Sequence, residues 1–339
     1  MPLTAGELAQ TVDSIAAVQL DDGMIPWFPG GHADPWNHVE AAMALTVGGR
    51  MDEAHRAFEW LMATQRPDGA WHQYYVAGYT VEVPLLDANV TAYVASGVWH
   101  HYLATGDAGF LAAMWQVVER ALGFVRGLQA PGGEVIWARH ADGTPWSFAL
   151  LTASSSTTAS LRCGAAIAQR LGLDADAASL EHAAARLREA IADRPWSFLP
   201  KDRWSMDWYY PVLAGILTGD AATERLDRDW DRFVMGGLGV RCVADRPWVT
   251  AAETSEAAMA CAAAGRLDHA HRLFQWAQHL RAEDGSYFTG MVHPERAHFP
   301  GGERTTYSAA AIVLAADTIT GTGPTAATFL VPGLGARPN

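Results

Sequence analysis

Two stretches of this chain are copies of one another. Glu40–Val76 aligns without a gap on Glu256–Val292, and the matched cores read EAAMALTVGGRMDEAHRAFEWLMATQRPDGAW and EAAMACAAAGRLDHAHRLFQWAQHLRAEDGSY. Self-similarity of this kind marks one supersecondary unit used repeatedly. Each copy reads as a helix that stops at Gly49-Arg50 or Gly265-Arg266, a short turn, a second helix and a closing Asp-Gly turn. The unit is a helical hairpin, and a hairpin cannot bury its apolar face alone, so it must stack on others. Fainter versions of the closing turn, at Gln19-Leu20-Asp21-Asp22-Gly23 and Gln129-Ala130-Pro131-Gly132-Gly133, mark further hairpin ends.

Periodicity between these turns predicts twelve helices, near 4–18, 35–48, 51–65, 86–104, 108–128, 154–171, 174–193, 208–218, 220–233, 252–264, 267–281 and 304–320. Those near 35, 86, 154, 208, 252 and 304 are rich in Ala, Ser and apolar residues on all sides, as buried helices are, whereas their alternates carry charge on one face. The expected fold is therefore all-α: an (α/α)6 toroid of six helical hairpins, one domain over 1–325 followed by a C-terminal tail, 326–339. Half of the residues are apolar, enough for a large core, and no run approaches the ~18 apolar residues that span a bilayer. The first thirty residues lack a basic start and compact apolar stretch, which leaves the cytoplasm as the expected location. Cys163, Cys242 and Cys261 are widely spaced with no CxxC, so neither disulfides nor structural zinc is expected.

The loops leading into the inner helices are long and hold Trp, Tyr, Pro and acidic residues, so one end of the ring should be the working face. Five carboxylates sit at or just before inner-helix starts: Asp34, Asp87, Asp207, Glu253 and Glu303. Capping a helix would account for any one of them, at about 1 kcal/mol. Capping needs no aromatics, however, and around them stand Trp36, Trp137, Trp146, Trp208, Tyr209, Tyr210, Trp248 and Tyr307. Sugars present flat C–H faces for stacking and hydroxyls for polar groups, which is what such a rim offers. Glycoside hydrolysis needs one protonated carboxyl and one ionised carboxylate, separated by roughly 6.5–9.5 Å for inversion and about 5 Å for retention. Asp207 and Glu253, each beside aromatic residues that would raise a pKa by desolvation, are the expected acid and base. Asp34 and Asp87 are their rivals, and with Asn37, His38, Asn89 and Glu303 otherwise hold substrate hydroxyls. In a sixfold ring Asp34 would face Asp207, and Asp87 would face Glu253.

Other readings of these residues are weaker. His38 could be a metal ligand or a general base, but it has no companions. Ser154-Ser155-Ser156 lacks a His-Asp relay, and Asp227-Arg228-Asp229-Trp230-Asp231 lies on an outer helix, where a solvated face explains it. No metal and no cofactor are expected. The net charge of −13, without basic runs, disfavours nucleic acid and anionic membranes and favours a neutral oligosaccharide or polysaccharide; the oligomeric state is left open. Two further function classes are a glycan-binding or sugar-isomerising toroid, and isoprenoid chemistry. Gln65-Arg66-Pro67-Asp68-Gly69-Ala70-Trp71 looks like the repeat of triterpene cyclases and prenyltransferases, but their Asp-x-Asp-Asp donor and zinc set are missing.

The segments PGGHADPWNHVEAAMAL, SMDWYYPVL, RPWVTAAETSEAAMA, DGSYFTGMVHPE and ERTTYSAAAIVLAAD carry a family resemblance. Across almost its whole length the chain resembles an actinobacterial family of (α/α)6 toroids, often labelled prenyltransferase-like, that includes the mycobacterial methylmannose polysaccharide hydrolase. The resemblance implies an endo-acting α-mannosidase that cleaves an α-1,4-linked, partly 3-O-methylated mannan with carboxylate acid and base and no metal. Methylated sugars are less polar than ordinary ones and suit a Trp-rich rim.

Overall fold

The computed structural model describes residues 3–330. Helices dominate: α1 (Ala5–Ala16), α2 (Pro35–Val47), α3 (Met51–Thr64), α4 (Ala88–Ala92), α5 (Val94–Thr105), α6 (Ala108–Arg126), α7 (Leu151–Arg170), α8 (Asp174–Asp193), α9 (Ser205–Leu213), α10 (Gly219–Arg228), α11 (Trp230–Phe233), α12 (Ala251–Ala263), α13 (Leu267–Ala277), α14 (Thr306–Thr320) and α15 (Pro324–Phe329). Every expected helix is present. The one expected over 86–104 is broken at Tyr93, and the one expected over 208–218 starts earlier and stops at Leu213, ahead of Gly215 in the left-handed region (φ +68°). Helix α15 occupies the start of the expected tail, whose residues from 331 lie outside the described ones.

Six helices pack in a closed cycle: α2 on α5, α5 on α7, α7 on α9, α9 on α12, α12 on α14, and α14 back on α2. Their side chains are buried nearly all round, Val39–Thr46 on α2 and Ser308–Ala316 on α14 among them. Helices α3, α6, α8, α10, α13 and α1 lie against α2, α5, α7, α9, α12 and α14 respectively. They are amphipathic as outer helices should be. Even α6, which by length and hydropathy alone could cross a membrane, turns Leu111, Met114, Val118 and Leu122 inward and leaves Glu119 and Arg120 outside. The buried apolar side chains form one contiguous cluster from Val12 to Ile319.

Helices are not the whole of it. The loops into the inner helices carry short antiparallel strands where the sequence predicts only irregular chain: β1 (Tyr74–Val76) with β2 (Thr80–Val83), β3 (Leu86–Asp87) with β4 (Ala138–Arg139), and a meander of β5 (Val234–Met235), β6 (Gly239–Arg241), β7 (Trp248–Thr250), β8 (Phe288–Val292) and β9 (Ala297–Arg304). The all-helical expectation is corrected to a mainly helical fold with small sheets at one end. Strands of two or three residues are too short to show a period in sequence.

One turn recurs around the ring. The Gln65 amide donates to Gly69 O (3.0 Å) and to Val117 O on α6 (2.8 Å); Gln19 does the same to Gly23 O (3.1 Å) and Glu53 O on α3 (2.9 Å), and Gln129 to Gly133 O (2.9 Å) and Ala183 O on α8 (3.0 Å). Each closing glycine has positive φ, and a Cβ there would meet the next outer helix, 2.2 Å from Arg120 O at Gly69 and 2.2 Å from Arg56 O at Gly23. Gly285 lies in the same way against the Gln10 backbone of α1, which joins α13 to the first helix. Gly69→Ala is expected to destabilise the fold by about 3 kcal/mol, about 1 from left-handed backbone and about 2 from the overlap with the Arg120 carbonyl. Gly78→Ala, equally left-handed (φ +75°) but with nothing within 4 Å of a new Cβ, should cost only about 1 kcal/mol. Urea unfolding measures both, and equal losses would show that the approach to α6 is not what selects glycine at 69.

Candidate active site

Short turns join five of the inner helices to their outer partners, α14 alone being paired with the distant α1, and long connections return to the next inner N-terminus, so the N-termini of the inner helices share one face. Asp34 is the N-cap of α2. Its Oδ1 accepts from Asn37 N (3.0 Å), and its Oδ2 accepts from Trp27 Nε1 (2.7 Å) and Asn37 Nδ2 (2.6 Å). Asp87 caps α4 in the same manner, taking Asn89 N (2.8 Å) and Val90 N (3.0 Å) on Oδ1 and the Trp137 indole N–H on Oδ2. Both carboxyls are 5% exposed. Burial raises the pKa of Asp34 against the pull of these donors, and it raises Asp87 to about 6, to which the Asp34 charge adds. Asn89 is buried beside Asp87 with its Oδ1 unpartnered among the described residues, an acceptor left over at the rim.

Glu253 lies in the first turn of α12, half-buried, and its pKa too is raised by burial. Tyr307, in the first turn of α14, has its ring 5.0 Å from that of Trp27, the indole donor to Asp34. After burial, the charges that raise the Tyr307 hydroxyl are those of Glu253 and Asp34. This follows from the ring order, because α14 packs between α12 and α2. Tyr74 stands likewise near Asp34 and Asp87, whose charges help push it up to about 12 after burial does so. The wall between them is aromatic: Trp27 meets Tyr307 at 5.0 Å and His32 at 4.4 Å, and His32 stacks on Tyr74 at 4.4 Å. By the order of packing around the ring α2 stands opposite α9 and α5 opposite α12, while α14 alone separates the helices of Asp34 and Glu253.

One turn deeper lies a second pair that the sequence reading passes over. Glu40 and Glu256, 7% and 8% exposed, line an axial cavity with room for about one water, together with Tyr93, Tyr210 and Ser156. Glu40 accepts from Trp36 Nε1 (2.8 Å) and from Tyr93 (3.3 Å). Glu256 accepts from Tyr210 (2.7 Å) and Tyr209. Burial first, and then the Glu256 charge, holds Glu40 well above the carboxylate range, so the pair keeps a proton at neutral pH. The signal was present in sequence, because these two glutamates open the two copies of the repeat. Trp27, His32 and Tyr74 were also missed, being scattered through a loop and a hairpin that no pattern groups.

Other expected residues stand elsewhere. Asp207 is in the first turn of α9, where its Oδ1 accepts from Thr152 N (3.2 Å) and Thr152 Oγ1 (2.6 Å). Burial raises its pKa, and the charges acting on it are those of Arg225 and Lys201. Trp208 turns outward, donating to Arg225 O (3.1 Å) and stacking on Phe233 at 5.4 Å. Glu303 lies on β9, accepts from Gly301 N (2.7 Å), and borders a groove against Gln10 and Asp13 of α1 outside the ring. His38 is fully buried, with Nδ1 accepting from Ile25 N (3.1 Å) and Nε2 facing Ala57 O (2.9 Å). Burial lowers its pKa to about 4, so it is neutral and both nitrogens are occupied. Trp36, Asn37, Trp137, Tyr209 and Tyr210 are bonded to the carboxylates already described. Trp248, half-buried, stacks on Phe299 at 4.8 Å. Among the described residues no group of three or more His, Cys, Asp or Glu is placed to hold a metal ion. The mouth offers carboxyls of raised pKa in aromatic surroundings, which is proton-transfer chemistry.

Comparison with known proteins gives this chemistry a context. No family model matches the chain. The MMP endo-(1,4)-3-O-methyl-alpha-D-mannosidase of Mycolicibacterium hassiacum is 50% identical over 322 residues, 95% of this chain and 88% of that one. Among solved structures, a wild-type glycosidase superposes with a TM-score of 0.72 at 15% identity, covering 93% of this chain and 98% of that chain. A D-mannose isomerase gives 0.70 at 10%, covering 92% and 96%. The structural likenesses speak for the fold alone, since glycosidase and isomerase share it. The sequence likeness is of another order, and by it the chain belongs to the family of the MMP endo-(1,4)-3-O-methyl-alpha-D-mannosidase and is a glycoside hydrolase.

Proposed function

We propose that this chain is an (α/α)6 toroid that cleaves α-1,4 bonds inside a 3-O-methylated mannan, with Asp34 and Glu253 as its acid/base pair. The substrate reading is supported by the 50% identity to an MMP endo-(1,4)-3-O-methyl-alpha-D-mannosidase. The toroid is supported by the closed cycle of six buried helices with six partners outside. The observation that carries the assignment of the pair is the place of Tyr307: its ring lies 5.0 Å from Trp27, the indole donor to Asp34, on the helix packed between α2 and α12, which bears Glu253. Both carboxyls are raised by burial, which suits one of them to hold a proton as acid beside a second that acts as base. That leaves one acid and one base over a common pH range, as glycoside hydrolysis requires. Asp87 and Asn89 then hold sugar hydroxyls, and Trp36 and Trp137 provide stacking faces. Asp207 is a strut between α9 and α7.

Asp34→Asn and Glu253→Gln are each expected to lower kcat on a methylated manno-oligosaccharide by about 10³-fold or more, while Asp207→Asn stays within about tenfold and loses about 1 kcal/mol of stability. Reducing-end assays with a folding control decide this, and an Asp207→Asn enzyme as inactive as Glu253→Gln would overturn the assignment.

The raised carboxyls also make stability depend on pH. Asp87 has a folded pKa of about 6, above the 3.8 of an unperturbed aspartate, so its contribution is fully present below about pH 4 and is lost as pH rises through 6. Two pH units correspond to about 3 kcal/mol. Asp87→Asn should therefore flatten the fall in unfolding free energy between pH 4 and pH 7 by up to about 3 kcal/mol. An unchanged pH dependence in urea titrations would show that Asp87 is ionised in the fold without cost.

A further inference from the structure

The aromatic surface of the mouth continues past the carboxylates. Trp137, whose indole is bonded to Asp87, lies nearly parallel to Phe148 (centroids 5.8 Å apart, 13° between planes) and edge-on to Trp146 at 5.0 Å. Trp146 in turn carries His140 stacked on it at 4.9 Å, and His140 is exposed. The chain after Trp146 is fastened to the loop that leads from α8 to α9. Ala149 pairs in parallel with Phe198, and Leu199 N donates to Ala149 O at 2.9 Å. Trp146 lies three residues before this parallel pair on one side and Trp196 two residues before it on the other, in the 3-10 turn Pro195–Ser197.

Trp196 is the anomaly in this loop. It is 77% exposed, with no ring contact and no hydrogen bond among the described residues, and Leu199 beside it is 39% exposed. A lone exposed apolar residue needs no explanation, but exposed aromatics continuous with a site mark a binding surface. Tryptophan is suited to this because its ring is large and rigid and loses little freedom when it is covered. Of these six side chains only His140 can ionise, so the surface fits a neutral ligand with apolar faces. An endo-acting hydrolase also gains by holding its chain beyond the sugars on either side of the broken bond.

We infer that the ridge from Trp137 through Trp146 to Trp196 is an extended binding track for the part of the glycan chain beyond the cleaved bond, and that it makes the protein prefer long chains to short ones. The inference rests on reading the mouth as a glycan hydrolase, with Asp87 at the inner end of the track.

The test is Trp196→Ala, a substitution at an exposed site that leaves the core and the carboxylates untouched, assayed on α-1,4-linked 3-O-methylated mannans of two lengths, a tetrasaccharide and a chain three times as long. For the long chain, kcat/KM is expected to fall by about tenfold, mostly through KM. For the tetrasaccharide it should stay at the wild-type value. Equal effects on the two lengths, including none on either, would overturn the track while leaving the hydrolase reading intact. Should the wild type cleave neither length, the hydrolase reading fails, and the track is judged by electrophoresis through a gel containing the long mannan. Retardation of the wild type but not of Trp196→Ala supports it, and equal mobility overturns it.

Discussion

The fold turns on a glutamine that reaches across a tight turn into the next hairpin. In Gln19, Gln65 and Gln129 one amide nitrogen serves both the turn's own glycine carbonyl and a carbonyl on the following outer helix. A buried amide left unpaired would cost more than the bond gains, so the turn has its low-energy form only when the next hairpin is in place. The glycine removes the Cβ that would hold the helices apart, and Arg56 and Arg120 return a donor to the glutamine carbonyl. Local geometry and contact between sectors are therefore one constraint. Repeated around the ring, it sets the angle between hairpins and brings the inner-helix N-termini to one face.

That face is where helix chemistry and burial oppose each other. An N-terminal carboxylate is favoured ionised, since it satisfies free backbone N–H groups and meets the positive end of the helix dipole. Asp34 and Asp87 do this while lying almost wholly out of water, and desolvation prevails, raising both. Indole donors from Trp27 and Trp137 fill the remaining lone pairs without bringing in a counter-charge. An Arg in their place would hold the same carboxylates ionised and remove them from proton transfer near neutral pH. Tryptophan thus has two tasks at this rim, presenting a ring to the ligand and keeping the acids titratable.

What the sequence discloses and what it conceals divide along physical lines. Helical period and Asp-Gly turns are local, and they place all twelve expected helices, with α8 matched end to end. The capping aspartates are equally local, and Asp34 and Asp87 stand where capping puts them. Side-chain direction in the first turn is not local. With α9 beginning at Ser205, Asp207 sits inside the helix and bonds Thr152 of the neighbouring helix, and Trp208 turns toward α10. A shift of three residues in a helix start is nearly a full turn, so it changes depth and neighbours more than it changes face. The same holds for His38, whose two backbone partners are 13 and 19 residues away in the chain.

Glu40 and Glu256 show how a repeat carries chemistry as well as shape. Duplication of a hairpin that bears one inward glutamate gives two of them facing a common axis, and in this ring α14 alone stands between their helices. Two like charges in a dry space are costly, so one must remain protonated. The surroundings are not symmetric: Glu256 receives two tyrosine hydroxyls, while Glu40 receives an indole and a more distant hydroxyl at 3.3 Å. The stronger donors pull against burial at Glu256, which is raised to about 7, while Glu40 is held well above the carboxylate range and keeps the proton. Glu253, one turn above Glu256 on the same helix, helps to raise Glu256, and Asp34, six residues before Glu40 at the N-cap of α2, helps to raise Glu40.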